Sequence, residues 1–561
     1  MTIKVVNLMG KYLLRILGDD KRGLTCKFSI LLVIYFVLGS SFTRVQAQTW
    51  DEGLYIYNII LDDDGEAMVV INYTSTLSSG ASWVLVPKFQ RWENVTLRGR
   101  IKSWNLGETE EFVGTDYYFY NVLNFTYESD KNKGEGGALF QLIIKFNFTT
   151  AAIIIEPDGI FYSPQIGFDR RSKGVVEIFL PPGFNINEGE AVLIENYNIY
   201  SLTPTSPNHI YCKLRTNMAR VQIGFQTKVR EPNLITLKEG EFTFETVPRY
   251  QNYALEILDL YNKVYGNLTS LFNVNLSDIR VQFFIPDFDS LMKIGGYVPF
   301  AGGEIGNIHI NVIFTRFPRG YIEVTAVHEL VHHFLWKLGF SPYTFLWFHE
   351  GMAQYISIEV GISLGYEGAI MLKKNLEDRV VKLLGRYGNN LDFILRWTPN
   401  VRPTDIGTLY TAAYYVISRL GEYFGGFSYY TKFFELIKEA SVNNKNILAY
   451  YLSVAANTSV VPILNNWGFN VEDLYRQPEF FMIVGKFILG LNQAYQPYQF
   501  ISEQFYKWAL RSLQRNNLVR ANLYLAIAIL IAELSPILTL TTLSSLLLAT
   551  SLYILHRKGV L

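Results

Sequence analysis

One short pattern fixes more about this chain than any other: His328-Glu329-Leu330-Val331-His332, followed by Trp347-Phe348-His349-Glu350-Gly351. Two histidines four apart on a helix project from the same face about one turn apart, so both imidazoles can reach one metal ion. Residues 321–339 carry such a helix, with apolar side chains at Val324, Val327, Val331, Phe334, Leu335 and Leu338 and a stop at Gly339. Residues 345–360 form a second helical candidate with Glu350 in its first turns. Glu350 can supply a third ligand and leave a fourth position open for water, the arrangement of a catalytic rather than a structural zinc site. Glu329, between the histidines, is placed to take a proton from that water. The chain has seven histidines, and four of them fall within 328–349.

These residues resemble the gluzincin zinc peptidases, and among them the aminopeptidase N-like families. The match lies in His328–His332, like that group's HExxH, and in Trp347-Phe348-His349-Glu350-Gly351-Met352-Ala353, like its W-x-x-E-G-x-A. The resemblance implies a thermolysin-like α+β catalytic domain, one zinc ion on His328, His332 and Glu350, Glu329 as general base, and a peptide or protein substrate. It also implies a tyrosine about sixty residues past the third ligand that donates to the oxyanion. Tyr410 stands there, with Ala412 and Ala413 behind it; Tyr414 and Tyr415 are its neighbours and competitors. One departure is the 17-residue gap between His332 and Glu350, one fewer than the usual pattern. The match covers roughly residues 295–470.

His333 turns about 100° away from His332 on the helix, and His349 fits either the cleft or helix packing. Glu323 and Gln354 are candidates to orient a ligand histidine. Aminopeptidases of this group hold the substrate's free amine with the Glu of a Gly-x-Met-Glu-Asn strand. Here the stretch reads Phe300-Ala301-Gly302-Gly303-Glu304-Ile305-Gly306-Asn307, without the Met-Glu-Asn core. Glu304 is the candidate amine anchor, and a Gly-rich turn is the other reading of it. The next residues, 308–312, alternate like an edge strand open to an extended substrate. Without that core, an endopeptidase is slightly favoured over an aminopeptidase.

Both ends of the chain address a membrane. Lys21, Arg22 and Lys27 precede an apolar run from Phe28 to Leu38, then small and polar residues to Ala47, the layout of a secretory signal. An uncleaved anchor is the alternative. From Leu534 to Leu555 there are 22 residues without a charge, enough to cross a bilayer, and His556-Arg557-Lys558 then places this end in the cytoplasm. Pro536 is expected in the first turn of that helix, where a missing N–H is tolerated. Seven Asn-x-Ser/Thr sites, at Asn72, Asn94, Asn124, Asn147, Asn267, Asn275 and Asn457, all fall in the expected external part. Cys26 lies in the leader, so Cys212 has no intramolecular disulfide partner, and the 49% hydrophobic content must supply stability through a core. Fifty basic and fifty acidic residues balance, which argues against a nucleic-acid partner.

The expected organisation is multidomain. A signal segment (1–47) leads into an N-terminal antiparallel β-sandwich or saddle (48–235), read from about ten short alternating runs between turn clusters. A gluzincin catalytic domain (236–470), a helical connector (471–533), one transmembrane helix (534–555) and a cytoplasmic tail (556–561) follow. The expected protein is a single-pass membrane peptidase with its bulk outside the cell; its oligomeric state is not legible. Two rivals are a catalytically silent gluzincin-like surface scaffold and a structural or binding protein of the cell envelope.

Overall fold

The computed structural model describes residues 53–558, apart from 130–137, 302, 400–404, 439, 441, 476, 492 and 515–516. The proposed signal segment lies outside the described residues. The chain divides into two compact units at Arg230/Glu231.

The first unit is β-rich. One six-stranded sheet runs in the order His209–Lys213, Lys173–Phe179, Gly53–Leu61, Ala67–Ser75, Phe140–Phe148, Trp92–Arg98. A second is centred on Asn185–Glu195 and Met218–Gln226, and a third joins Ser79–Pro87, Tyr120–Glu128 and Arg100–Gly107. Alternation puts Tyr55, Tyr57, Ile59 and Leu61 on the buried face of their strand. Their core continues through Tyr73, Phe125, Tyr127 and Phe140, with the Tyr127 and Phe140 rings stacked at 4.1 Å. The expectation of a purely antiparallel unit needs one correction. Gly53–Leu61 pairs with Lys173–Phe179 in parallel, a long-range pairing that alternating polarity alone cannot orient. Asn72 and Asn124 sit half-buried within strands, whereas the other five Asn-x-Ser/Thr asparagines are exposed.

The second unit opens with a five-stranded sheet ordered Ile235–Glu239, Phe242–Thr246, Ile279–Phe284, Ile308–Asn311, Gly296–Tyr297. Here the sequence expectation fails in a useful way. Ile308–Asn311 is not an edge: it pairs in parallel with Ile279–Phe284 and antiparallel with Gly296–Tyr297. Alternation reports a half-buried strand and says nothing of how many neighbours it has. The outer strand is Gly296–Tyr297.

Helices dominate the rest: α1 (Gln251–Phe272), α2 (Tyr321–Lys337), α3 (Pro342–Ser363), α4 (Glu367–Tyr387), α5 (Ile406–Phe424), α6 (Phe427–Ile437) and α7 (Lys445–Ala456). α1 buttresses α2. The Tyr261 hydroxyl donates to the Ala326 carbonyl at 3.0 Å, and Phe272 stacks on Phe334 at 4.8 Å.

The chain ends in α8 (Gln477–Leu489), α9 (Tyr498–Gln514) and α10 (Leu518–Arg557). α10 is one 40-residue helix, of which Arg520–Arg557 is long and apolar enough to cross a membrane. Pro536 therefore stands inside a helix rather than in its first turn, contrary to expectation. Pro536 offers no N–H to the Ala532 carbonyl, and the Ser535 hydroxyl occupies that carbonyl instead at 2.8 Å.

Candidate metal centre

α2 begins at Gly320, whose N–H is taken by the Glu323 carboxylate at 2.6 Å. Glu323 is thus committed to capping the helix and to Arg319 at 3.5 Å, which removes it as an orienting partner for a histidine. From this start, one face of α2 carries His328 and His332 inward.

α3 brings Glu350 to them. Its first turn is interrupted at Phe345 (φ −131°, ψ 38°), so the regular helix restarts just before Trp347 and Glu350 lies in its opening turns. Gly351 has a packing role. A Cβ there would lie 2.7 Å from the Ala413 carbonyl and 2.8 Å from Ile417 of α5. Glycine at 351, with alanines at 412 and 413, lets α5 close against α3 and carries Tyr410 to the centre.

His328, His332 and Glu350 are buried together, with their ligand atoms all within 4.8 Å of one another. His328 Nε2 stands 3.1 Å and His332 Nε2 3.6 Å from the same Glu350 oxygen. Two imidazoles and a carboxylate converging at this range match the donor set that zinc takes. Burial would raise the Glu350 pKa, but His332 and His328 outweigh it and hold the carboxylate below its usual range.

Glu329 is buried beside this group, and its Oε2 has no hydrogen-bond partner among the described residues. Burial, reinforced by Glu350 and opposed by His328, pushes its pKa up to about 8. A desolvated carboxylate with a free lone pair is a strong proton acceptor once a donor reaches it. Gly296 makes room for it: a Cβ at that position would lie 2.8 Å from Glu329 Oε1. The outer strand of the sheet therefore runs directly past the candidate base.

Tyr410 lies near Glu350 and Glu329; burial first, then these two carboxylates, raise its phenol well above its ordinary range. Trp397 packs edge-on against its ring at 5.1 Å. The competitors point elsewhere. Tyr415 rests on Trp467 at 5.8 Å, and the Tyr414 phenol is raised by burial and then by Glu359, Glu377 and Glu422 rather than by the central carboxylates.

Two residues matter more than the sequence suggested. His349 is fully buried; its Nε2 donates to the Phe340 carbonyl at 2.9 Å, and its other nitrogen faces His332. Burial holds His332 at about 3 and His349 at about 4, so both rings are neutral. Phe300 sets its ring 6.4 Å from His332, 6.1 Å from His349 and 5.5 Å from Trp336, an apolar wall beside the histidines. His349 was adjacent to a ligand and so within reach of sequence reasoning; Phe300 carried no such signal. His333 is buried on another face, and its Nε2 has no partner among the described residues. Glu304 is exposed in the small hairpin Phe300–Ala301/Glu304–Ile305 and joins none of the central residues in an ion pair.

No family model matches the chain, and no curated protein matches it. Among solved structures, native yeast LTA4 hydrolase is similar over 78% of this chain and 72% of its own, at 10% identity and a TM-score of 0.31. A likeness that slight fixes neither fold nor chemistry, and the case for the site rests on its own residues.

Proposed function

We propose that this chain is a membrane-anchored hydrolase of peptide bonds, with one zinc ion held by His328, His332 and Glu350 and the catalytic unit outside the cell. The observation that supports this best is the buried His328–His332–Glu350 cluster with Glu329 and Tyr410 beside it. Bound zinc would supply Lewis acidity, polarising the scissile carbonyl and making water a nucleophile at neutral pH. Glu329 takes the proton from the attacking water at its free Oε2 and returns it to the leaving amine. Tyr410 turns its phenol from Glu350 to the charge developing on the carbonyl oxygen. The Gly296–Tyr297 strand, at the sheet's margin, can pair with an extended substrate.

Internal cleavage is favoured over N-terminal trimming, because Glu304 is exposed on its hairpin and the Met-Glu-Asn core is missing. The anchor is α10, with His556, Arg557 and Lys558 on the cytoplasmic side.

The deciding experiment takes the full-length chain in lipid nanodiscs, measures its zinc content and assays it on a mixed peptide library. Stoichiometric zinc with hydrolysis that a chelator abolishes is expected. Protein without stoichiometric metal would sink the enzyme; zinc without turnover would favour a silent scaffold. Protease added to intact cells should remove the catalytic unit and spare a tag placed after Leu561, and an accessible tag would reverse the topology.

A further inference from the structure

Among its described side chains, Phe480–Leu489, α8 is apolar apart from Lys486. Its inward stripe, Phe481, Val484 and Ile488, packs with Ala521, Leu525, Ala528 and Ala532 of α10 in one buried cluster. That satisfies the face an ordinary surface helix would bury. Yet Phe480, Met482, Ile483, Phe487 and Leu489 remain outside, from 47% exposed at Phe487 to 65% at Ile483. Among the described side chains of α8, Lys486 is the only charged one. On the helical repeat they form two stripes, Phe480, Ile483 and Phe487 on one flank and Met482 and Leu489 on the other, with Lys486 between them. Exposed apolar surface of this extent marks an interaction surface.

The packing of α9 on α10 shows where the patch lies relative to the anchor. The Ser502 hydroxyl donates to the Ala528 carbonyl at 2.7 Å, and Trp508 meets Tyr524 at 5.9 Å. One index rises as the other falls, so α9 runs antiparallel to α10 and its first turn lies level with the residues just before Leu534. That first turn exposes Phe500 (56%) and Ile501 (37%). Charged groups then follow along α9, with Glu503 half-buried and Lys507 and Arg511 exposed, as is Arg520 where α10 begins. Between them the aromatic pair Trp508 and Tyr524 is of the residue types that collect at membrane–water interfaces. The Tyr506 hydroxyl donates to the Phe481 carbonyl at 3.0 Å, which fixes α8 against α9 over the same levels.

We propose that the outer face of α8 and the first turn of α9 rest in the bilayer interface beside the anchor, making the helical connector a membrane-seated foot rather than a free stalk. The occupant is lipid because the patch continues the exposed apolar surface of α10, and the charges around it, Glu503 and Glu533 near Leu534 and Lys507, Arg511 and Arg520 farther off, suit an interface rather than the hydrocarbon core. α8, at about 20 Å for its 13 residues, is too short to cross the hydrocarbon core and long enough to lie along its margin. Lys486 has the stem to reach headgroups from such a position. The proposal rests on the reading of α10 as the anchor.

Both are tested together in the full-length chain, with Cys26→Ser and Cys212→Ala, in phosphatidylcholine nanodiscs. Single nitroxide labels are introduced through Phe487→Cys, Phe500→Cys, Arg511→Cys and Leu546→Cys, all exposed positions, and their relaxation by oxygen and by a water-soluble nickel chelate is compared. The expected result is preferential relaxation by oxygen at 487, 500 and 546 and by nickel at 511. Nickel preference at 487 and 500 with oxygen preference at 546 would overturn the foot and leave the anchor standing. Nickel preference at 546 would remove the anchor itself. Labels at 487 and 500 shielded from both reagents would overturn lipid contact in favour of a protein partner, such as a second copy of this chain.

Discussion

The imidazoles of His332 and His349 face each other through their Nδ1 atoms, 3.4 Å apart. Because His349 donates from Nε2 to the Phe340 carbonyl, its Nδ1 in the neutral ring is an acceptor. His332 must then carry its proton on Nδ1, and its Nε2, which points toward Glu350, is left with a lone pair. The backbone carbonyl of Phe340 thereby sets the tautomer of a candidate ligand two rings away.

His349→Phe keeps a flat ring in place and removes the acceptor. Zinc affinity, read by competition with a chromogenic chelator, is expected to fall about 10–100-fold, the usual effect of losing such a partner. His349→Gln, whose amide oxygen can accept the same proton, should recover part of the loss. Unchanged affinity in His349→Phe would remove the role given to the pair.

Glu329→Gln should separate chemistry from metal binding. Glu329 is not among the three converging ligands, so zinc content should hold while turnover falls by about 10²–10⁴-fold. More than a tenth of wild-type activity in the variant would mean that another group takes the proton.

Glu350→Ala should do the opposite to metal. Its carboxylate is the one oxygen both imidazoles approach, so dialysed protein is expected to lose zinc and activity together. Near-normal zinc occupancy would point to a different third ligand, and the short 17-residue gap makes the measurement informative.

Local periodicity made the centre legible. His328, Glu329 and His332 needed only the helical repeat, and Glu350 a second helix start, so spacing was enough to bring them into one hypothesis. Tyr410 was reached only through the resemblance to gluzincins and the small residues that follow it, and the close approach of Gly351 to Ala413 gives those small residues a physical cause. What spacing could not carry was pairing at long range. Alternation in 308–311 did not reveal that Gly296–Tyr297 closes the sheet outside it, nor did it orient Gly53–Leu61 against Lys173–Phe179. Phe300 reaches the histidines through a hairpin whose fold depends on tertiary contacts, and nothing in its neighbourhood of the sequence announces it. The terminal helix was legible as an apolar run long enough to cross a membrane, but α10 begins at Leu518, well before Leu534, with Ala521, Leu525, Ala528 and Ala532 packed in one cluster with α8 and α9.

The substrate's own end is open to a direct test. If Glu304 captures a free amine, the charge-assisted contact is worth roughly 1.5–3 kcal/mol, or about one to two decades in rate when it is realised at the transition state. Acetylated peptides would then be cut poorly, and Glu304→Ala would narrow the gap between blocked and free substrates. The exposed position of Glu304 and its lack of an ion pair with the central residues favour the other outcome. Blocked peptides are expected to be cut internally at rates close to those of free ones, with Glu304→Ala changing neither. A tenfold or greater preference for free N-termini that disappears in Glu304→Ala would make the protein an aminopeptidase.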